Sequence, residues 1–392
     1  MRERDDNFDR QTDRQTDRQT GRILLVANVS KEHIRKFHLP FIEYMKSKNW
    51  VVDVACKLDE SVPECNNSYD LPCDRNPFRS RIRESVAALG KIVTKQNYDA
   101  IICNTLTGSI VARLAKRKLG EKFPKLFYIN HGLHFFEGAP MSRWIMGYPL
   151  EKILVRFTDV LVTINGADFQ MAQRYLKPKK IERLYGIGVD LRRFRECILD
   201  REEQNQIRHS LGIYDNDFVL TYVAEINENK NQAMLLEVFN LVDQAIPNAK
   251  MLLIGPEHDE GKLRQFSERC GLSGKVKFLG WRDDIPQLLC ISDVYVASSK
   301  SEGLGLNLIE AMACNLPVVA SKNRGHAEIV CHGETGFLVD LDDVEEMAKY
   351  VMELYHNEEM RRTIVAHAQE NIEKFEITSV LKEEERIIVS NL

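Results

Sequence analysis

Two series of short apolar segments, separated by helical stretches, constrain the fold of this 392-residue chain most strongly. A short apolar run bounded by polar residues is typical of a strand that is covered on both faces. Strands that alternate with helices predict a parallel sheet with helices on both sides. The first series of predicted strands comprises Ile23–Val26, Ala100–Cys103, Leu126–Ile129 and Val160–Thr163. The second series comprises Phe218–Val223, Met251–Ile254, Val276–Leu279, Val294–Ala297 and Pro317–Ala320.

The interval between the two series divides the chain into two domains of similar size. The strand pattern pauses around residues 186–190 and the chain is then highly charged up to residue 208. We therefore place the first domain at residues 22–190 and the second at residues 191–375. Because ligands of open parallel sheets bind beyond the carboxyl ends of the strands, two such sheets predict an α/β protein with a cleft between its domains.

The first 21 residues are predicted to form a disordered tail outside this fold. They contain the tetrapeptide Asp-Arg-Gln-Thr three times in succession, with alternating charge and nothing apolar to bury. Segments of this composition cannot offset the conformational entropy that folding removes.

Cysteine usage and hydropathy restrict the compartment. The nine cysteines are odd in number and none belongs to a C-x-x-C pair, which favours a reducing cytosol and gives no zinc motif. No apolar run approaches the roughly 20 residues of a membrane span, and no signal peptide opens the chain. We therefore expect a soluble, cytoplasmic protein.

The net charge of −4 conceals two halves of opposite sign. Residues 21–190 carry 27 Lys and Arg against 17 Asp and Glu, a net charge of +10, whereas residues 191–392 carry a net charge of −13. This asymmetry predicts an anionic partner for the first half only. A nucleic acid is disfavoured, because the basic clusters lack interleaved aromatic residues or a known binding module.

A glycine-rich turn after the predicted strand Val294–Ala297 is the most informative local feature. Gly303 and Gly305 permit a tight turn whose backbone amides face outward at the start of a helix, where the helix dipole favours an anion. Glu302 precedes the turn and Glu310 follows it eight positions later. Two carboxylates beside an anion site suit a ligand that carries neutral hydroxyls as well as phosphate, which describes a sugar nucleotide.

The segment from Glu302 to Glu310 closely resembles the donor-site signature of retaining glycosyltransferases of family 4, which have the GT-B fold. It reads E-x7-E, with E-G-x-G-L at its head and E-A-M-A at its tail. Further segments that agree with this family are Asn130–Gly132, Gly188–Asp190, Phe278–Ile285, Arg324–Glu328 and His131–Pro140. The last two resemble the branch that builds bacterial capsule and exopolysaccharide. The resemblance implies two Rossmann-like domains that face each other across a cleft, and a final segment, residues 376–392, whose helix crosses back to the first domain.

The resemblance implies a role for each matching residue of the donor site. Glu302 would bind hydroxyls of the transferred sugar, Glu310 would bind the ribose hydroxyls, and Lys230 would neutralise the diphosphate and help it leave. A lysine contact to phosphate is charge-assisted and contributes about 1.5–3 kcal/mol. The backbone amides expected to touch the sugar and diphosphate belong to Gly303, Leu304, Gly305 and Leu306.

Four further residues are assigned to the donor site by the same resemblance. Glu225 and Asn227 lie where many relatives place an arginine, so Lys230 is left as the main cation of this segment. Arg282 follows a strand and is expected near the base, although an ordinary surface arginine is an equal alternative. Glu328 belongs to the segment Arg324–Glu328.

The first domain is expected to supply histidines. His131 follows an apolar strand, and the resemblance places it against the transferred sugar, so we group it with Lys230 and Glu302 as catalytic. His33 and His38 follow the first strand and are candidates for the acceptor side, with ordinary loop histidines as an equal alternative. Their five-residue spacing is no zinc motif. We expect no cofactor and no obligatory metal.

The expected reaction transfers a hexose or N-acetylhexosamine, with retention, from a nucleotide sugar, most simply UDP-linked, to a lipid-linked saccharide or polysaccharide. A lipid-linked acceptor, together with the basic first half, suggests docking on the anionic inner face of the plasma membrane. The cations that would make this contact are Arg113, Lys116, Arg117, Lys118, Lys122, Lys125, Lys177, Lys179, Lys180 and Arg183. We expect Trp144, Ile145 and Met146 to add apolar contacts.

Three alternatives remain open from the sequence. A sugar-nucleotide epimerase of the same fold would need an acidic and histidine set suited to proton abstraction. A nicotinamide-dependent oxidoreductase would need G-x-G-x-x-G after its first strand, where this chain has Asn28–His33. A non-catalytic sugar-nucleotide-binding protein is disfavoured by the presence of Glu302, Glu310, Lys230 and His131.

Overall fold

The computed structural model describes residues 20–74, 76 and 81–392. These residues form two compact units, the first comprising residues up to 164, 168–184 and 381–392, and the second comprising residues 165–167 and 185–380. The disordered tail was predicted for residues 1–21. Residues 1–19 lie outside the described residues, and the predicted boundary is slightly too late because Gly21 already begins the first strand.

The described part of the first unit contains one parallel sheet of seven strands. These strands are β1 (Gly21–Val29), β2 (Trp50–Lys57), β3 (Ser68–Asp70), β4 (Ala100–Cys103), β5 (Lys125–Asn130), β6 (Val160–Thr163) and β7 (Ile181–Arg183). Their order across the sheet is β3-β2-β1-β4-β5-β6-β7. The helices between them are α1 (Leu39–Ser47), α2 (Ile82–Lys95), α3 (Leu106–Leu119), α4 (Met141–Leu154) and α5 (Gly166–Met171).

The second unit repeats this plan with six parallel strands among the described residues. These are β8 (Phe218–Val223), β9 (Ala249–Ile254), β10 (Val276–Gly280), β11 (Val294–Ala297), β12 (Val318–Ser321) and β13 (Phe337–Val339), in the order β10-β9-β8-β11-β12-β13. The helices from residue 191 onward are α6 (Leu191–Arg195), α7 (Arg201–Ser210), α8 (Gln232–Ala245), α9 (Lys262–Arg269), α10 (Ile285–Cys290), α11 (Leu306–Ala313), α12 (His326–Ile329), α13 (Val344–His356), α14 (Glu358–Asn371) and α15 (Ile377–Val389).

The strand order of both sheets fixes where a ligand can bind. Each sheet starts near its middle, extends to one edge, and then returns to extend to the other edge, which is the doubly wound arrangement. The point of reversal lies between β1 and β4 in the first unit and between β8 and β11 in the second. Loops that leave the carboxyl ends of these strands diverge toward opposite faces, and the gap between them is the usual ligand site.

The cores confirm the prediction of sheets covered on both faces. Strand β4 is buried at all four positions, and so are β11 and β12. The strand β2 was not predicted because Asp53 interrupts its apolar run. Asp53 is buried, and its charge is balanced by the guanidinium of Arg22, which lies 2.6 Å away. The hydroxyl of Tyr98 also donates a hydrogen bond to this carboxylate at 2.7 Å.

The predicted basic surface of the first unit is partly wrong. Arg113 is fully buried in α3, where it forms an ion pair with Glu151 of α4 at 2.6 Å and also lies over the ring of Tyr128. Burial of a charge requires such a partner, so Arg113 cannot contact a membrane. Lys116 and Lys179 both pair with Asp159. Among the described residues, no helix is long and apolar enough to cross a membrane.

Candidate functional site

A lysine and a glutamate predicted to bind the donor are in direct contact at the carboxyl end of the second sheet. Lys230 lies in the loop after β8 and Glu302 in the loop after β11, so the two flank the point where the strand order reverses. Nζ of Lys230 is 2.6 Å from Oε1 of Glu302, and only 23% and 16% of the two side chains are exposed. The fold therefore joins a cation and a carboxylate that are 72 residues apart in the chain.

The loop that carries Lys230 is ordered by a local asparagine turn and by contacts with the opposite loop. Oδ1 of Asn227 accepts hydrogen bonds from the backbone amides of Asn229 and Lys230, at 3.1 and 3.0 Å. The hydroxyl of Ser298 donates to the carbonyl of Lys230 at 2.7 Å. Asn227, a predicted donor contact, thus positions Lys230, and it also lines a pocket of about 410 Å³ in this unit.

The predicted glycine turn precedes helix α11 as expected, but only Gly305, and not Gly303, has a positive φ. Gly305 has φ of 102° and precedes the first helical residue, Leu306, so its conformation is one that a side chain rarely adopts. Its backbone also approaches His326, since a Cβ added at Gly305 would lie 3.0 Å from the ring. The amide of Leu308 donates to the carbonyl of Gly305 at 3.0 Å, whereas the amides of Leu306 and Asn307 have no acceptor within the helix and are available to an anion.

Close packing beneath the turn explains another glycine. A Cβ at Gly325 would lie 2.8 Å from Cβ of Glu302 and 2.8 Å from the backbone of Leu304. Leu304 itself is 5% exposed, so its side chain packs inside the unit and only its backbone could face a donor. Gly325 therefore lets the loop after β12 support the segment that carries Glu302.

Glu310 lies on α11 and is largely enclosed. Burial raises the pKa of its carboxyl to about 7, and the opposing effect of the Arg193 guanidinium is smaller. A carboxyl in this state is ready to change protonation when hydroxyl groups or a charge approach it. The ribose contact of Glu310 stays a prediction.

His326 lies in the segment Arg324–Glu328 and adjoins Gly305 of the glycine turn, but it was not among the predicted site residues. It is 1% exposed, and burial lowers its pKa to about 4, so the ring is neutral at pH 7. Its Nδ1 lies 2.7 Å from the carbonyl of Ser321, whereas Nε2 is buried without a hydrogen-bond partner. The signal that could have found it is position, since His326 follows β12, the neighbour of β11.

The remaining predicted donor residues are more peripheral. The side chain of Glu225 is exposed, and its backbone carbonyl accepts from Gln232 at 2.9 Å. Arg282 follows β10, an edge strand, and pairs with Asp284 at 2.5 Å in its own turn. This pairing lowers the pKa of the Asp284 carboxyl. Glu328 lies on the short helix α12. The donor roles of these residues stay predictions.

In the first unit the three predicted histidines come together. His33 and His38 lie on a π-helix, Ser30–His38, that follows β1, and His131 follows β5. Nε2 of His33 and Nε2 of His38 are 3.1 Å apart, and the ring centroid of His131 lies 5.9 Å from each of the other two. The sequence predicted all three as site residues but had no means to predict this contact.

Burial keeps two of these rings uncharged. The pKa of His38 is lowered well below its usual value by burial and by the neighbouring imidazoles His33 and His131. Burial also lowers the pKa of His131 to about 4, and its Nε2 has no hydrogen-bond partner. The turn that presents His131 is fixed by Asn130, whose Oδ1 accepts from the amide of Gly132 at 2.9 Å.

Two family models match the chain. The model described as "Glycosyl transferase 4-like" matches residues 22–165, and the model described as "Glycosyl transferases group 1" matches residues 203–371. The protein EpsD of Bacillus subtilis, which is described as a glycosyltransferase, is 36% identical over 363 residues, covering 92% of this chain and 94% of EpsD.

A second relative and a solved structure extend the comparison. The Escherichia coli UDP-Gal:α-D-GlcNAc-diphosphoundecaprenol α-1,3-galactosyltransferase is 27% identical over 336 residues, covering 82% of this chain and 83% of that enzyme. The crystal structure of the Anabaena protein HepE with UDP-glucose superposes with a TM-score of 0.77, covering 94% of this chain and 100% of HepE at 21% identity. At this identity the likeness establishes the fold.

Proposed function

Because this chain belongs to the glycosyltransferase family and has the GT-B fold, we propose that it transfers a hexose or N-acetylhexosamine from a UDP-linked donor, with retention of configuration. The proposed acceptor is a lipid-linked saccharide of cell-surface polysaccharide synthesis. The observation that carries the proposal is the contact between Lys230 and Glu302 beside the amides that begin α11. A nucleotide sugar needs a cation for its diphosphate and acceptors for its hydroxyls, and this contact supplies both.

The proposed chemistry breaks the bond between the anomeric carbon and the diphosphate oxygen and forms a bond to an acceptor hydroxyl on the same face. The hydroxyl proton passes to the departing diphosphate. Lys230 stabilises the negative charge that develops on that diphosphate, together with the N-terminal amides of α11. Glu302 orients the sugar, so the residues of this site contribute position and charge without a covalent intermediate.

The pairing of Lys230 with Glu302 also suggests how donor binding is made selective. Without donor, each group neutralises the other, which reduces the penalty of partial burial. In the proposed complex the ammonium turns to phosphate and the carboxylate accepts hydroxyl protons. A bare phosphate would satisfy Lys230 and leave Glu302 unpaired, so the pair favours a ligand that brings both chemical groups.

The names of the relatives support the donor and acceptor classes. The E. coli relative uses a UDP-linked sugar and an acceptor on a diphosphoundecaprenol lipid, and HepE was solved with UDP-glucose. An acceptor of this kind is anchored in a membrane, so the enzyme has to work at the membrane surface.

One surface of helix α4 fits that requirement. Four of its apolar side chains are between 56% and 71% exposed, namely Met141, Ile145, Met146 and Ile153. Arg143 and Arg156 are exposed close to them. Apolar side chains flanked by cations suit the boundary of an anionic bilayer. Trp144, which the sequence grouped with this surface, instead packs on the core with Phe135, Tyr148 and Tyr175.

The proposal is tested by incubating the chain with a panel of nucleotide sugars and measuring nucleotide release, with and without lipid-linked saccharides. Release from a UDP-linked sugar that is accelerated by a lipid-linked acceptor is the expected result. Conversion of the donor to another nucleotide sugar would instead identify an epimerase. Tight donor binding with neither reaction would identify a binding protein.

A further inference from the structure

Three histidines of the first unit converge in a way that the proposed function does not require. In the part of the chain that the structure describes, they form the one group of three His, Cys, Asp or Glu residues arranged to hold a metal ion. One ligand nitrogen from each of His33, His38 and His131 lies within 4.8 Å of the others. The sheet order explains the convergence, because the strands that precede these residues, β1 and β5, are separated only by β4.

The distances suit a small cation bound by imidazole. Ligands of tetrahedral zinc that lie about 2.0–2.1 Å from the ion are about 3.3–3.4 Å from one another. Nε2 of His33 and Nε2 of His38 are already 3.1 Å apart. The ligand nitrogen of His131 lies within 4.8 Å of the other two. Rotation of the imidazole rings would bring the three nitrogens to the separation that a tetrahedral ion requires. Neutral imidazole is the form that binds a metal, and Nε2 of His131 is buried with no other partner.

Asn104 can orient one of the ligands from outside the cluster. It follows β4, is 3% exposed, and its side-chain amide lies 3.3 Å from Nδ1 of His38. Its Oδ1 is buried without a hydrogen-bond partner. With the amide turned over, Oδ1 accepts a proton from Nδ1 of His38, which leaves the lone pair of Nε2 directed at the other histidines. Hydrogen bonds of this kind accompany most metal-bound histidines.

We propose that His33, His38 and His131 form a binding site for one divalent transition-metal ion of the zinc class. Imidazole ligands favour Zn²⁺, Cu²⁺ and Ni²⁺ over Mg²⁺ and Ca²⁺, which prefer oxygen. Three protein ligands leave a fourth position for water or for an oxygen of a bound molecule. The three histidines belong to the first unit, whereas Lys230 and Glu302, the proposed donor contacts, belong to the second. Asn104 is a positioning residue for the metal ion.

Cobalt(II) provides the probe, because its visible absorption reports both geometry and ligand type. The full chain, free of any affinity tag, is stripped with a chelator and titrated with Co²⁺. We expect one ion per chain and the absorption of a four-coordinate ion with nitrogen and oxygen ligands. Asn104→Ala, which removes a positioning residue, should weaken Co²⁺ binding by roughly 10–100-fold. His33→Gln, which removes a ligand, should weaken it by at least as much. Binding without saturation, or unchanged by His33→Gln, would overturn the proposal.

Two control variants separate this site from other metal-binding groups. Hydrogen bonds from Cys314 and Cys197 lower the pKa of Cys290 to about 7, which makes it the competing ligand to exclude. Cys290→Ser and the exposed His367→Ala should bind Co²⁺ like the unaltered chain. A sulfur-to-cobalt charge-transfer band that disappears in Cys290→Ser would assign the ion to the cysteines and overturn the proposal.

A second measurement needs no variant, and so remains decisive if His33→Gln does not fold. The chain contains ten histidines. In a sample with ¹⁵N-labelled histidine rings, Zn²⁺ should shift the ring signals of three histidines and leave the others in place. Shifts spread over other histidines, or none at equimolar Zn²⁺, would contradict the site. Neither measurement uses a nucleotide sugar, so both are independent of the proposed function.

Discussion

Nζ of Lys230 lies 2.6 Å from Oε1 of Glu302, across the gap between the loops that follow β8 and β11. Both groups are largely buried, and the loop that carries Lys230 is fixed by Asn227 and Ser298. An ion pair between exposed side chains would contribute little. This pair instead orders two loops at the position where a doubly wound sheet binds ligands, and it is the centre of the proposed donor site.

Glu310 should make donor binding depend on pH. Burial raises the pKa of its carboxyl to about 7, so the group is mainly protonated at pH 6 and mainly ionised at pH 8. Ribose hydroxyls donate to the ionised form, so the dissociation constant of UDP should fall roughly tenfold between pH 6 and pH 8. Isothermal titration calorimetry at a series of pH values measures this change.

Glu310→Gln is the control for that titration. The phosphate of UDP also ionises near pH 6, but it does so equally with both proteins. The variant should therefore keep only the phosphate's share of the pH dependence. Equal slopes for the two proteins would show that Glu310 does not contact the donor.

Gly325→Ala should weaken donor binding more than it destabilises the fold. The added methyl group would meet Glu302 and the backbone of Leu304 at 2.8 Å, so the loop has to move. We expect a loss of roughly tenfold or more in UDP affinity, since misplacement of about 1 Å is sufficient for large effects. Gly90→Ala in α2, where the nearest atom is 3.9 Å away, is the matched control. Normal affinity in Gly325→Ala would contradict the packing account.

Glu384→Gln should stabilise the first unit at high pH. Glu384 lies on α15 and is 8% exposed, and burial raises its pKa from 4.5 to about 8. The unfolded chain therefore loses this proton above about pH 4.5 and the folded chain only near pH 8, so stability falls across that interval. The variant should gain about 1–3 kcal/mol at pH 8.

Urea unfolding at pH 5 and pH 8 checks the role of Glu384. The gain should be much smaller at pH 5, where the carboxyl stays protonated in the folded chain and is only partly ionised in the unfolded chain. If Glu384→Gln changed the free energy of unfolding by the same amount at pH 5 and at pH 8, ionisation of Glu384 could not be the cause.

The exposed apolar surface of α4 should govern attachment to vesicles. Ile145 is 68% exposed, and transfer of such a side chain from water is worth about 1.5–3 kcal/mol. Ile145→Glu should therefore weaken binding to phosphatidylglycerol vesicles by about tenfold or more in a sedimentation assay. Ile198→Glu, at an 84% exposed position of the second unit, should bind normally. Similar losses in both variants would contradict a specific role for α4.

Much of the fold was predictable because the strands of both sheets are short apolar runs between helical segments. All nine predicted strands are present, with ends shifted by a few residues. The missed strands had weaker patterns. In β2 a buried Asp53 breaks the apolar run, and its pairing with Arg22 and Tyr98 is a tertiary property. The strands β3, β7 and β13 have only three residues each.

The site was predictable where it depends on strand ends, and less so where it depends on contacts between distant loops. Lys230 and Glu302 were selected through a family resemblance, but their 2.6 Å contact follows from the sheet order. Spacing in the chain could not indicate the meeting of His33 and His38 with His131. Counting charges placed Arg113 on the surface, whereas Glu151, 38 residues later, pairs with it inside the unit.

The rate of UDP release from the preferred nucleotide sugar, compared between Lys230→Ala and Lys275→Ala, tests the central claim most directly. Lys275 forms an equivalent ion pair with Asp243 at 2.5 Å in the same unit, where it precedes β10 and so lies away from the carboxyl ends of the strands. If Lys230 stabilises the departing diphosphate, its variant should lose about 10²–10³-fold in kcat, while Lys275→Ala keeps the normal rate. A normal rate in Lys230→Ala, or equal losses in both variants, would contradict the account.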